Sequence, residues 1–149
     1  MILDAELQLS ADQAVTSTDQ STNAIDLGSA IDIGAGEPIA IDITVTETCT
    51  AAGAATVTFG VITDNAAALS SANIIMSSTS IAIADLTAGT RLRLVVPPTV
   101  PDVADQRYLG LRYTVVTGPL TAGKFTAYAQ PLNRCQDAPK HYPSGFAVA

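Results

Sequence analysis

The chain has 149 residues, of which 48% are apolar and 14% are charged, and its formal net charge is −7. This is the length of one domain with one core, and the negative charge argues against non-specific nucleic-acid binding, which needs clustered Lys and Arg. No apolar run approaches the roughly 18 residues that span a membrane. The opening residues, MILDAELQLSADQ, also lack the basic start of a cleaved secretory signal.

The N-terminal part predicts short and irregular strands. A first strand is indicated by the alternation of four apolar residues, Leu3, Ala5, Leu7 and Leu9. Residues 13–18 and 23–27 are expected to add short pieces. A clear strand follows at 38–47, where Asp42, Thr44 and Thr46 alternate with an inward set of Ile39, Ile41, Ile43 and Val45.

The middle of the chain continues this pattern. After a turn at Thr50–Gly53, residues 55–63 predict a strand with Val57, Phe59 and Val61 facing inward. Residues 64–73 predict a helical turn or a loop. A short strand is marked by Ile81 and Ile83, before a turn at 87–89.

The last third predicts three more strands. Residues 91–96 alternate, with Leu92, Leu94 and Val96 inward, and Pro97, Pro98 and Pro101 then force a loop because proline cannot donate to a strand ladder. Tyr108–Val116 is a long strand. Residues 124–130 are expected to return beside it as a hairpin, after an eight-residue connection at 116–123.

These elements predict an all-β protein, with a jelly-roll β-sandwich of about eight strands over residues 1–132 as the first choice. Residues 133–149 predict an extended tail. The tail ends in apolar and aromatic side chains, which a disordered segment would normally lack. We therefore expect it to dock, either on its own domain or on a neighbouring subunit or capsid.

Charge is unevenly distributed along the chain. Residues 1–85 hold 11 acidic residues and no Lys or Arg, whereas residues 86–149 hold 3 acidic and all 7 basic residues. Either the two parts interleave and the charges mix within one fold, or the asymmetry helps subunits meet. Arg91 and Arg93 are two residues apart and therefore share the non-core face of their strand. This face is either exposed to solvent or forms a patch that contacts a partner.

No residue set points to catalysis. His141 is the single histidine and has no nearby catalytic constellation. Cys49 and Cys135 are expected to be free buried thiols, although a disulfide remains possible. Asp26 and Asp32 each precede a glycine by two residues, which is typical of strand ends, and a calcium loop needs more oxygen ligands. We expect no enzyme activity, no cofactor and no metal.

Several stretches resemble the capsid cement (decoration) proteins of tailed bacteriophages, of the Bordetella-phage type. They extend from about residue 10 to 130 and comprise Ala14–Thr18, Ser21–Gly28, Asp32–Pro38, Thr50–Thr56, Arg107–Thr114 and Leu120–Lys124. The end of the tail, Tyr142–Phe146, is also similar to this group.

The resemblance implies a jelly-roll subunit that forms homotrimers on the outer surface of the virion capsid after assembly in the host cytoplasm. Such trimers bridge major capsid protein subunits and hold them against DNA pressure, without contacting nucleic acid or membrane. We expect the contacts to include Arg91, Arg93, Arg134, His141, Tyr142, Pro143, Phe146 and Val148. The alternatives are a phage adhesion or receptor-binding β-sandwich module and a small hydrolase, for which the sequence names no substrate.

Overall fold

The structure is a computed structural model that describes residues 4–28, 36–96 and 107–134. It contains ten strands in these ranges, and short 3-10 turns at Ala5–Leu7, Ile83–Asp85 and Leu132–Arg134. The strands are β1 (Gln8–Ala14), β2 (Asp19–Gln20), β3 (Ile25–Asp26), β4 (Ile39–Ala51), β5 (Thr56–Asp64), β6 (Asn73–Ser77), β7 (Ile81–Ala82), β8 (Arg91–Val95), β9 (Tyr108–Val116) and β10 (Leu120–Pro131).

The strands form two antiparallel sheets. The front sheet has the order β1-β10-β4-β8, and the back sheet has the order β2-β9-β5-β6, with β3 also paired to β9 and β7 to β5. If β2 with β3, and β6 with β7, each count as one position, the chain changes sheet at every step except from β5 to β6. This is the winding of a double-sheet jelly roll, so the predicted fold is confirmed.

The core lies between the sheets and is built from the alternating apolar residues. Ile41, Ile43 and Val45 of β4 are completely buried, as are Val57, Phe59 and Val61 of β5. Leu94 and Val96 point inward from the β8 segment, while Asp42 and Thr44 lie half-buried on the outer face of β4. The inward and outward faces predicted for these strands are therefore confirmed.

Three aromatic rings join the two sheets at the centre of the core. Phe125 of the front sheet stacks on Tyr113 of the back sheet with ring centroids 5.2 Å apart, and meets Phe59 edge-on at 5.4 Å. All three side chains are completely buried. Contacts of this geometry add to the area that the rings bury, so the trio fixes how the sheets stack.

A buried polar chain ties the N-terminal strand to the back sheet. The Tyr113 hydroxyl donates to Ser10 Oγ at 2.8 Å, and the Ser10 hydroxyl donates to Gln13 Oε1 at 2.8 Å. The Gln13 amide in turn donates to the carbonyl of Gln20 at 2.7 Å. Each polar group is satisfied, which is the condition for burying it at low cost.

The predicted hairpin between residues 108–116 and 124–130 is wrong. β9 lies in the back sheet and β10 in the front sheet, where β10 pairs with β1 and β4. β10 also begins at Leu120, so the connection is only Thr117–Pro119, and Thr117 takes a positive φ of 58°. This short segment carries the chain from one sheet across to the other.

Smaller differences concern the edges of the sandwich. The first strand begins only at Gln8, near the end of the Leu3–Leu9 run, because Ala5–Leu7 forms a 3-10 turn behind Asp4, whose side chain accepts from the Glu6 amide. Residues 65–72 are turns, as predicted, but Asn73–Ser77 forms a strand that was not predicted. The Pro-rich loop at 97–101 lies outside the described residues.

Candidate interaction surfaces

The outer face of the front sheet carries a polar cluster centred on Asp42. Arg93 Nε donates to Asp42 Oδ1 at 2.7 Å across the β4–β8 pair, and Gln130 Nε2 donates to Asp42 Oδ2 at 2.5 Å. The Asp42 and Arg93 side chains are about one quarter exposed, at 26% and 24%. Because both carboxylate oxygens are paired, Asp42 holds three strands together at their outer surface.

A shallow depression of about 200 Å³ lies beside this cluster. It is lined by outward side chains of β4, β8 and β10, namely Asp42, Thr44, Thr46, Arg91, Thr126, Tyr128 and Gln130. Arg91 is exposed at its edge and lies opposite Thr44 in the strand register. Arg91 and Arg93 therefore do share the outer face, but Arg93 is held by Asp42, and Arg91 makes no ion pair with a described residue.

A second charged group lies on the same sheet near β1. Lys124 Nζ approaches Glu47 Oε2 at 2.9 Å and Asp12 Oδ2 at 4.0 Å. The Glu47 carboxylate, which accepts a hydrogen bond from Lys124, raises the pKa of this lysine. Asp12 also accepts from the Thr46 hydroxyl at 2.5 Å, so its backbone at φ 48° is anchored on β4.

The start of β9 carries a two-pronged ion pair. Arg107 donates to both carboxylate oxygens of Asp26 at 2.9 Å, and its guanidinium lies 5.1 Å from the Tyr108 ring centroid. The hydrogen bonds from Arg107, with that from the Gly28 amide, lower the pKa of Asp26 to about 2. Asp26 is thus paired with a cation of its own chain. The turn expected at Gly28 is present, with a φ of 78° at this glycine. Asp32 lies outside the described residues.

These pairs support the interpretation of the uneven charge in which the two parts of the sequence interleave. Arg93, Arg107 and Lys124 come from the basic part of the sequence and pair with acids of the first part. The winding of the jelly roll brings the two parts together within one chain. The described charges therefore mix inside the fold, which is the simpler of the two alternatives.

Cys49 lies in the core, 4% exposed. Burial, with a smaller contribution from the Glu47 charge, raises the pKa of its thiol to about 11. The thiol is free, as expected, and lies against Gly123, where an added Cβ would sit 2.8 Å from Sγ. Cys135 lies outside the described residues.

The candidates in the tail are not tested by the structure. His141, Tyr142, Pro143, Phe146 and Val148 lie outside the described residues, and Arg134 ends the last 3-10 turn. Sequence reasoning also missed Asp42 as the centre of the front-sheet cluster. The signal available was an acid in an otherwise Thr-rich outer face, but its partners Arg93 and Gln130 are far away in sequence.

The described part of the chain holds neither a metal-binding cluster nor a membrane-spanning helix. Within residues 4–28, 36–96 and 107–134, no three His, Cys, Asp or Glu side chains are close enough to hold a metal ion together. No helix in those ranges has the length and apolar character needed to cross a membrane.

The fold and these surfaces define the class: a jelly-roll domain with an aromatic-centred core and ion pairs within the chain on its described outer faces. The chain belongs to the Bbp16 family, whose model matches residues 9–129, from β1 into the last part of β10. The family name is that of a Bordetella phage-type protein, which is consistent with a phage protein. No curated protein matches the chain.

Proposed function

We propose that this chain is a non-catalytic capsid cement protein that binds the outer surface of a tailed-phage head as a homotrimer and bridges major capsid protein subunits. The observation that carries the proposal is the family match, which covers the jelly roll from β1 to β10. The sequence stretches that resemble phage cement proteins lie within the same range, apart from their tail segment.

The physical basis is multivalent bridging. Packaged DNA pushes capsid subunits apart, and a trimer that touches several of them links its contacts, so that each contact raises the effective concentration of the next. A rigid sandwich suits this role because little conformational freedom is lost when it binds. The core between two full sheets supplies that rigidity here.

We place one of the contacts on the outer face of the front sheet, at Arg91. This cation is exposed and makes no ion pair with a described residue, unlike Arg93 and Arg107. An acidic group of a neighbouring subunit or of the capsid would complete the pair. Charge complementarity at such a rim position favours correct docking and fast association more than raw affinity.

The test is cosedimentation of the purified protein with expanded, mature heads of the same virus. We expect saturable binding at a multiple of three copies per capsid facet, and a trimeric mass in sedimentation equilibrium. Failure to bind such heads would contradict the proposal and favour the adhesion module instead.

A matched pair of variants tests the placement of the contact. Thr44→Glu puts a carboxylate opposite Arg91 in the strand register, where it would pair with Arg91 and withdraw it from a partner. Thr58→Glu puts the same charge at a half-buried threonine on the outer face of the back sheet. We expect weaker binding or trimerisation from the first only; equal effects would argue against the front-sheet contact.

A further inference from the structure

An apolar cleft of about 430 Å³ opens between the two sheets at one end of the sandwich. Its floor is formed by Leu109 and Ala129, which are almost completely buried. The walls are half-buried apolar side chains from both sheets and from the first 3-10 turn: Leu7, Ile25, Leu27, Ile39 and Pro131. Gly36, Glu37 and Gln130 complete the lining.

The cleft is large and apolar enough to hold side chains. Its volume lies within the roughly 300–1,000 Å³ of ordinary ligand pockets. Ile25, Leu27 and Ile39 pack on the core from one side and line this space with the other. Covering this solvent-exposed apolar surface with another apolar group would stabilise the protein by roughly 25 cal/mol per Å² buried.

The chain leaves the described structure at the rim of the same cleft. Pro131 lines it, and the next residues are fastened beside it: the Leu132 amide donates to the Pro38 carbonyl at 2.7 Å, and Asn133 Nδ2 donates to Glu37 Oε1 at 2.6 Å. The C-terminal segment, residues 135–149, therefore starts from a fixed point next to an apolar concavity.

The C-terminal segment has the composition and length to fill it. Tyr142, Phe146, Ala147 and Val148 are apolar or aromatic. Tyr142 follows Arg134 by eight residues, which reach about 27 Å when extended, against the ~10 Å that separate packed sheets. Because the segment is tethered next to the cleft, its aromatic side chains have an effective concentration in the millimolar range at the cleft.

We propose that the C-terminal segment folds back and seats Tyr142 or Phe146 in the cleft of its own chain. This selects the own-domain alternative for the tail that the sequence left open. It does not rest on the proposed capsid function, because it concerns contacts within one subunit.

A double-mutant cycle in the full-length chain tests the contact. Phe146→Ala and Tyr142→Ala are each combined with Leu27→Ala, and unfolding equilibrium constants are measured in urea. We expect coupling of about tenfold for at least one aromatic residue. The control partner is Val116→Ala, a 51% exposed position at the far end of β9, which should give additive effects.

Additive effects at Leu27 with both aromatic residues would overturn the proposal, and so would equal coupling at Val116.

A second measurement distinguishes a contact within one chain from a contact with a neighbouring copy, and it can be made even if the variants are destabilised. All samples carry Cys135→Ser. In the first sample, one chain carries both Leu27→Cys and Phe146→Cys. In the second sample, each substitution is on a separate chain, the two chains are refolded together, and both samples are then oxidised. We expect a cross-link within the single chain and no covalent dimer from the mixture. A covalent dimer from the mixture would show that a second copy fills the cleft and would overturn the proposal.

Discussion

Ser10→Ala and Tyr113→Phe remove opposite ends of one buried hydrogen bond, and we expect them to cost different amounts of stability. Both residues are completely buried. Tyr113→Phe removes a donor, but the Ser10 hydroxyl keeps its acceptor on Gln13. Only one hydrogen bond is lost, which costs about 0.5–1.5 kcal/mol.

Ser10→Ala leaves a buried group unsatisfied. The Tyr113 hydroxyl loses its acceptor in the core, while Gln13 Oε1 still accepts from the Thr22 amide at 3.0 Å. An unpaired buried donor carries its full desolvation penalty, so the expected cost is about 1–3 kcal/mol. The double variant should cost less than the two single changes added together, because Tyr113→Phe removes the group that Ser10→Ala would leave unpaired.

The assay is equilibrium unfolding in urea, followed by far-ultraviolet circular dichroism, for the wild type, both single variants and the double variant. Equal slopes against urea concentration would show that the change is one of stability. The reasoning is refuted if Tyr113→Phe costs more than Ser10→Ala, or if the two costs are additive.

Three further predictions follow from local contacts. The pKa of Asp26 is lowered from 3.8 to about 2 in the folded chain, so its charge stabilises the fold above pH 4 and this contribution is lost as the pH falls towards 2. Asp26→Asn should flatten the dependence of the urea midpoint on pH in that window, and an unchanged dependence would contradict the assignment. In a Cys135→Ser background, the Cys49 thiol, with a pKa of about 11, should react with a chromogenic disulfide at pH 8 only after unfolding; fast reaction of the native chain would contradict its burial. Gly110→Ala should destabilise by about 1–3 kcal/mol, because the new Cβ would sit 2.3 Å from Leu69 Cδ1. Leu69→Ala should relieve much of that added cost, and full additivity in urea unfolding would argue against the clash.

The alternation of apolar and polar residues was enough to predict most of the long strands and their faces. Burial alternates from Ile41 to Val45 in β4 and from Leu94 to Val96 at the end of β8, and β9 runs over Tyr108–Val116 as predicted. β6 was missed because Ile74, Ile75 and Met76 are a continuous apolar run. The register between β5 and β6 shifts between Val61 and Ile62, opposite these residues, so β6 does not show a simple alternation.

The pairing of β9 and β10 was the main error, and its cause is physical. A period-two pattern shows which face of a strand is buried. The pattern does not show whether the next strand joins the same sheet or the opposite sheet, because the alternation is identical in both cases. Because the strands predicted at 108–116 and 124–130 follow one another directly in the sequence, a hairpin was the simplest choice. The order of strands depends on partners far along the chain, such as Gln8 beside Tyr128, which local patterns do not reveal.

The candidate surfaces were predictable to a smaller extent. The shared outer face of Arg91 and Arg93 follows from their spacing alone. The partner that holds Arg93 does not, since Asp42 is 51 residues away. The cleft at the end of the sandwich needs side chains from both sheets, and no single stretch of sequence contains it.

The position of β10 also determines the order in which the protein can be completed during its synthesis. Among the described strands β10 is the last to be made, yet it lies inside the front sheet, between β1 and β4. Until the ribosome has produced it, β1 has no partner in that sheet and β4 is paired along only one edge, by β8. The nascent chain therefore exposes unpaired strand edges, which are sites of self-association. Completion of the fold must follow translation of residue 131 instead of accompanying it.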